Sequence, residues 1–358
     1  MSDRPASAPA PRGDGTSGAV PTGRGGIPSS GDADLDAAVA FALAAKSPAT
    51  VRAYEADWRH FAAWCASRDH APLPAHPTVV ASYLAAHARG VGGVERLKTS
   101  TLQRRMAAIG AYHTASYHPN PCQSPEVRAT WHGIRRQLGW TKNRAAPAIT
   151  EVLRQLADSC DPDRYIGLRD RAMLLVGFAA LLRRSEVVAL DVADLVLVEQ
   201  GLEIRVPEAE TGARRPRADP ERPDPRAVPY GERPETCPVR AWLAWRQATG
   251  LTEGPAFRPV HPRARVGHYP TASIRRAPRL TDLAVYRAVQ SAARRAGLPT
   301  PLRYRSHSLR AGAAVQAAPV ASDQELMRAG GWASLEVVRS YTADSRIWED
   351  PVAGRLGL

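Results

Sequence analysis

Cysteine is scarce in this chain of 358 residues: Cys65, Cys122, Cys160 and Cys237 are its four, far apart and with no Cys-x-x-Cys among them. That excludes a cysteine zinc site and a disulfide framework, and it fits a reducing cytoplasm. Long apolar runs are also missing. The longest, Ala172 to Leu182, is about half of what a bilayer requires, so it reads as a buried helix. No N-terminal stretch has the apolar core of a signal peptide, and no internal repeat is visible. Residues 1–33 have almost no large apolar side chain and are rich in Gly, Pro, Ser and Ala. Such a segment cannot bury enough surface to offset chain entropy, so a disordered arm is expected there.

Lysine is nearly absent too. Of 48 basic residues only Lys46, Lys98 and Lys142 are Lys, and the rest are Arg. The formal charge of +13 favours a polyanionic partner, since basic side chains release counterions from a phosphate backbone. A GC-rich coding bias would inflate Arg in the same way, so charge alone does not establish nucleic-acid binding. The length leaves room for two domains and a tail.

The most informative stretch runs from His307 to Tyr341. His307-Ser308-Leu309-Arg310 puts an acid/base group and a permanent cation on one face of one helical turn, a pair suited to a phosphodiester. His-x-x-Arg alone carries little weight in so Arg-rich a chain. A second copy, His132 to Arg135, reads as an ordinary basic helix surface. The C-terminal copy differs in its company. Trp332 follows Arg310 by 22 residues, Tyr341 follows Trp332 by nine, and Leu182-Arg183-Arg184-Ser185-Glu186 stands upstream, directly after the long apolar run.

The remaining pattern is mostly helical. Ser47-Pro48 has the form of an N-cap with Pro at the first helical position, ahead of a stripe of Val51, Tyr54, Trp58, Phe61 and Cys65. Further helices are expected at about Thr78–Ala88, Thr101–Ser116, Pro125–Leu138, Thr150–Asp158, Arg164–Leu182, Pro238–Ala248 and Leu283–Ala296. Leu195–Val198 and Leu202–Val206 alternate as short strands about a turn at Gln200-Gly201. Pro207 to Pro234, with seven Pro and six Arg, is expected to be a long basic loop.

In order and spacing, Arg183, then His307-x-x-Arg310, then Trp332, then Tyr341, the chain resembles the tyrosine recombinases, or phage integrase family, over roughly Asp34 to the C-terminus. The resemblance implies a mainly α, two-domain protein: an α-helical N-terminal DNA-binding (SAM-like) domain, and an α+β catalytic domain with a small antiparallel sheet. The corresponding limits are residues 34–140 and 149–341, with a linker at 141–148 and a C-terminal tail at 342–358 that docks in cis or on a neighbouring subunit. It implies Tyr341 as nucleophile forming a 3′-phosphotyrosyl intermediate, Arg183 and Arg310 as clamps on the phosphate oxygens, His307 for proton transfer, Trp332 in the family's His-or-Trp position, and Glu186 supporting Arg183. Arg52, Arg59, Arg104, Arg105, Arg135 and Arg136, on helix faces opposite the apolar stripes, become candidates for phosphate contacts rather than a merely solvated face. Double-stranded DNA is the implied partner, bound as a homotetramer on paired sites with possible accessory DNA-bending proteins, in the cytoplasm and nucleoid; no metal, cofactor or membrane is implied.

One departure matters. The family places a Lys on the hairpin after its first Arg, as acid for the leaving 5′-oxygen, and no Lys follows Lys142. Arg205, Arg214 and Arg215 lie near the expected place, yet guanidinium is a weak acid. Two rival readings follow: a DNA-binding protein of this fold with weak or no catalysis, and a type IB topoisomerase using the same nucleophile. Tyr341 also follows Leu335 and Val338 at spacings of three, so taken alone it reads as a core aromatic.

Overall fold

The computed structural model describes residues 47–139, 145–207 and 225–343. The expected arm, the tail beyond Ala343, half of the linker, and Arg214 and Arg215 lie outside these. The described residues divide into two compact units, residues 51–139 in the first and residues 145–207 and 225–343 in the second, with the short segment 47–50 grouped with the second.

The first unit holds α1 (Pro48–Ala66), α2 (Pro77–Arg89), α3 (Thr99–Ala115) and α4 (Pro125–Leu138). The starts of α1 and α4 follow from local chemistry. Ser47 Oγ accepts from Thr50 N–H at 3.1 Å ahead of α1, and the Ser124 side chain accepts from Val127 N–H ahead of α4, with Pro125 at its first position. Gly90, left-handed at φ 71°, closes α2. Phe61, Trp64, Tyr83, Leu84, Leu102, Ile109 and Trp131 form the core.

That core contains polar groups the apolar stripes did not announce. Arg105 is buried, its guanidinium donating to Tyr83 Oη at 2.7 Å and lying 3.6 Å from the buried Asp57 carboxylate. It is therefore not on the outer face where the sequence placed it. Arg52, Arg59, Arg104, Arg135 and Arg136 are exposed, Arg104 with a bidentate bond to Asp57 at 2.7 and 3.0 Å. Asp57 thus takes the outward Arg on one side and the inward one on the other.

Two fully buried histidines make this unit acid-sensitive. His113 Nε2 accepts from Ala75 N–H at 2.8 Å while Nδ1 bonds Ile109 C=O at 2.8 Å, an arrangement only the neutral ring can make. Burial lowers the pKa of His113 and of His87 below the ordinary 6.5. The unfolded chain then binds more protons, so this stability is present above pH 6.5 and is lost as pH falls through 6.5 toward the lower folded values. Thermal denaturation followed from about pH 7.5 to about pH 5 should show a falling midpoint, and His113→Gln should flatten the profile.

The second unit begins with α5 (Thr150–Asp158) and α6 (Tyr165–Ala179), followed by the short α7 (Arg184–Ala189). The sequence suggested one helix through Leu182, but α6 stops three residues earlier. Leu181 turns left-handed (φ 48°) and Leu182 N–H bonds back to Gly177 C=O at 2.9 Å. Three strands follow as an antiparallel sheet of order β1 (Leu195–Val198), β2 (Gly201–Ile204) and β3 (Arg226–Pro229). β3 corrects the reading of Pro207–Pro234 as loop throughout. It is an edge strand with Pro only just before it and at its last residue, where no ladder bond is lost, and it turns Arg226 and Val228 inward.

The rest is α8 (Pro238–Thr249), α9 (Thr271–Arg276), α10 (Asp282–Arg295), α11 (Ser306–Ala317), α12 (Asp323–Gly330) and α13 (Leu335–Thr342). α6, running through the middle, packs against α8 and α11. The end of the expected linker is not loose: Ala146 N–H donates to Arg303 C=O at 3.0 Å and Ala148 N–H to Ser308 C=O at 2.9 Å. Gly312 on α11 permits this approach, because a Cβ there would stand 2.1 Å from Ala148 O. Among the described residues no helix is long and apolar enough to cross a membrane, and no group of three or more His, Cys, Asp and Glu side chains is placed to hold a metal ion.

Candidate active site

Four segments far apart in sequence meet at one open cleft of about 620 Å³: the turn at residues 181–185, α10, the start of α11, and residues 332–341. Arg183, His307, Arg310, Trp332 and Tyr341 all line it. His307 and Arg310 reach it from one face of α11, as the i, i+3 spacing requires.

Arg183 is the residue immediately before α7. Its backbone N–H donates to Glu186 Oε2 at 2.8 Å and its guanidinium to Oε1 at 2.5 Å, so Glu186 closes the helix start and fixes the side chain together. Glu186 is only 1 % exposed, which sets this contact apart from a surface Arg–Glu pair. Arg183 also donates to Gly331 C=O at 3.0 Å.

Arg310, 2 % exposed, donates to Leu181 C=O at 2.5 Å and to Gly330 C=O at 2.6 Å. Burial, and then the Arg183 charge, push its pKa down to about 9, against the opposing pull of Glu186. It remains a cation at neutral pH. Its guanidinium lies 4.2 Å from the centre of the Trp332 ring, a cation–π contact.

The Gly330-Gly331-Trp332 sequence has a steric cause. Gly331 is left-handed (φ 60°) and ends α12, and a Cβ on Gly330 would stand 2.1 Å from the Trp332 ring. Trp332 packs with Leu326, Val338 and Ala314 and lies 5.5 Å, centre to centre, from Tyr341. The Tyr341 ring packs on this small cluster, as its spacing from Leu335 and Val338 allowed, while its hydroxyl meets His307 Nε2 at 2.6 Å.

Partial desolvation of the His307 ring by the cleft walls, although its edge is open to solvent, followed by the charges of Arg310, Arg183 and Arg184, lowers its pKa below 6.5. A neutral imidazole at pH 7 can accept the tyrosine proton. A cleavage reaction dependent on this ring should keep its rate somewhat below pH 6.5 and lose it as pH falls through the lowered value. A pH–rate profile of single-turnover cleavage checks this, and an acid limb above pH 7 would contradict it.

The cleft contains residues the sequence did not single out: Arg184, Arg305, Tyr286 and Ser306. Adjacency to Arg183 was a signal for the first; the others carried none. Arg226, from β3, lies behind the cleft, where it donates to the carbonyls of Ala180, Leu181 and Gly330. The sequence carried no signal for it, because the stretch around it reads as loop. Arg205 is exposed and is not among the residues lining the cleft.

Residues 42–119 match the phage integrase N-terminal SAM-like domain. The chain is 32 % identical over 315 residues to an integrase/recombinase XerD homolog from Selenomonas ruminantium, covering 87 % of this chain and 86 % of that one. It is 26 % identical over 296 residues to the Cre recombinase of Escherichia phage P1, covering 79 % and 80 %. Its fold is shared with a lambda integrase (residues 75–356) solved as a dimer on a core site, at TM-score 0.55 and 14 % identity, covering 86 % of this chain and 93 % of that one. It is shared too with the XerH site-specific recombinase, at TM-score 0.52 and 17 % identity, covering 78 % and 72 %. With two arginines, a histidine, a tryptophan and a tyrosine converging in the order the sequence presented them, this chain belongs to the tyrosine recombinases.

Proposed function

We propose that the chain performs site-specific DNA recombination, with Tyr341 as nucleophile. The observation that carries this is the 2.6 Å contact between Tyr341 Oη and His307 Nε2 beside two guanidinium groups. In the proposed step the phenolic oxygen attacks the scissile phosphorus as its proton passes to His307. The bond to the 5′-oxygen breaks, leaving a 3′-phosphotyrosyl ester and, once the leaving oxygen is protonated, a 5′-hydroxyl. Arg183 and Arg310 offset the charge on the two non-bridging oxygens through planar paired donors, and the Trp332 indole N–H adds a neutral donor. Because the ester conserves the bond energy, the reverse attack by a different 5′-hydroxyl reseals the strand without a nucleotide cofactor.

Protonated His307 is the group we assign to the leaving 5′-oxygen. Arg205 is turned to solvent, and a guanidinium there or at Arg214 or Arg215 would act as electrostatic support. The exposed Arg52, Arg59, Arg104, Arg135 and Arg136 are proposed to contact backbone phosphates, which positions the duplex without reading its sequence. Exchange between two sites calls for paired subunits, and a homotetramer on two duplexes is the proposed assembly. The nearby lambda integrase structures include a tetramer bound to a Holliday junction.

The absence of a downstream Lys favours a second reading, a binding protein with little chemistry. One experiment separates the readings. Two labelled duplexes carrying the site are incubated with the protein, beside a supercoiled plasmid lacking it. Recombinant products with an unrelaxed plasmid support exchange, relaxation of the plasmid supports a topoisomerase, and a gel shift without either supports binding alone.

A further inference from the structure

The catalytic arginines are held in place by a third that does not reach the cleft. Arg226 is 8 % exposed, on the edge strand β3. One terminal nitrogen of its guanidinium donates to Ala180 C=O and to Leu181 C=O at 3.1 Å; the other reaches Gly330 C=O at 3.5 Å. The second nitrogen also lies 3.6 Å from Glu186 Oε2. Three of these four acceptors belong to the catalytic arrangement. Leu181 and Gly330 supply the two carbonyls that hold Arg310, and Glu186 is the carboxylate that holds Arg183.

The shared carbonyl of Leu181 belongs to a residue at φ 48°, a conformation unfavourable for an ordinary side chain. Leu has neither the freedom of Gly nor the local hydrogen bonding of Asn to offset that cost. Two guanidiniums converging on the carbonyl supply a reason for the backbone to stay turned. Two buried guanidiniums and the half-buried Arg183 stand around one carboxylate because carbonyl dipoles satisfy the donors that Glu186 cannot reach.

We infer that Arg226 is a positioning residue for the cleavage step: it fixes the 180–181 turn, Gly330 and Glu186 so that Arg183 and Arg310 present their free N–H groups to one phosphate. The inference rests on the proposed Tyr341 chemistry. Arg226 itself touches no substrate.

The test uses full-length protein and nicked duplexes tiling the DNA on both sides of its own coding sequence; the nick lets the cleaved strand diffuse away and traps the covalent adduct. Single-turnover adduct formation and DNA affinity are measured for wild type, Arg226→Gln, Arg226→Lys and Tyr341→Phe, with circular dichroism as the check on folding. Arg226→Gln should bind DNA within about threefold of wild type and form adduct about 100-fold more slowly, as expected when reacting groups shift by about an ångström. Arg226→Lys restores the charge without the fork and should recover about tenfold of that loss. Should Arg226→Gln not fold, Arg226→Lys decides alone: a tenfold slower step at unchanged affinity supports positioning. A folded Arg226 variant that cleaves at the wild-type rate, or one whose whole deficit is in DNA affinity, overturns the inference while Tyr341-dependent cleavage stands. A wild-type protein that makes no adduct on any tile, or an adduct that persists in Tyr341→Phe, overturns instead the reading beneath it.

Discussion

Tyr341→Phe forms no covalent protein–DNA adduct, while its DNA affinity and folded stability stay close to wild type. The ring remains, so its packing against Trp332 and the cluster of Leu326 and Val338 is preserved. Only the hydroxyl is lost, and with it one hydrogen bond to His307 at an exposed position, worth about 1 kcal/mol or less. The chemical loss is total by comparison, since no other hydroxyl is placed beside His307 among the described hydrogen bonds. Labelled DNA quenched in SDS and run on a denaturing gel reads the adduct directly. A residual adduct in the Phe variant would move the nucleophile elsewhere and overturn the assignment of this cleft.

Glu186→Gln should destabilise the second unit by about 3 kcal/mol, near the low end for breaking a buried pair because the Arg183 side chain is 31 % exposed. The amide keeps the shape and can still accept from Arg183 N–H, but Arg183, Arg226 and Arg310 are left without their carboxylate. At about 2–4 °C per kcal/mol for a unit of this size, the melting midpoint should fall by about 6–12 °C. Glu151→Gln is the control. Its pair with Arg154 has the same three-residue spacing but a carboxylate side chain that is 62 % exposed, so a change below about 1 kcal/mol is expected. Equal shifts in the two variants would mean that the buried carboxylate does not organise the arginine cluster.

The helices were legible because their stripes and caps are local. The five cleft residues were legible because order and spacing along the chain are visible even when distance in space is not. What escaped the sequence is long-range. β3 pairs across a hairpin whose intervening residues are rich in Pro, so its strand character comes from β2 rather than from its own composition. Ala179 to Leu182 are good helix formers, and the chain nonetheless breaks at Leu181, whose carbonyl is met by guanidiniums from residues 226 and 310. Arg104 and Arg105 are neighbours in sequence, about 100° apart around a helix; Arg105, three after Leu102 and four before Ile109, falls on the buried face, where Tyr83 and Asp57 receive its charge. The excess of Arg had a similar ambiguity. Arg226, Arg258 and Arg279 spend donors on backbone carbonyls, so part of the formal charge serves the fold's own loops and not a polyanion.

Ala148 is seated against Gly312 with no room even for a methyl group between them, and its N–H is bonded to Ser308, between His307 and Arg310 in sequence. Residues 146–148 therefore have no slack where they meet the helix that carries two of the cleft's side chains. A displacement of Ala148 is delivered to α11 directly, as a pull on a short tether.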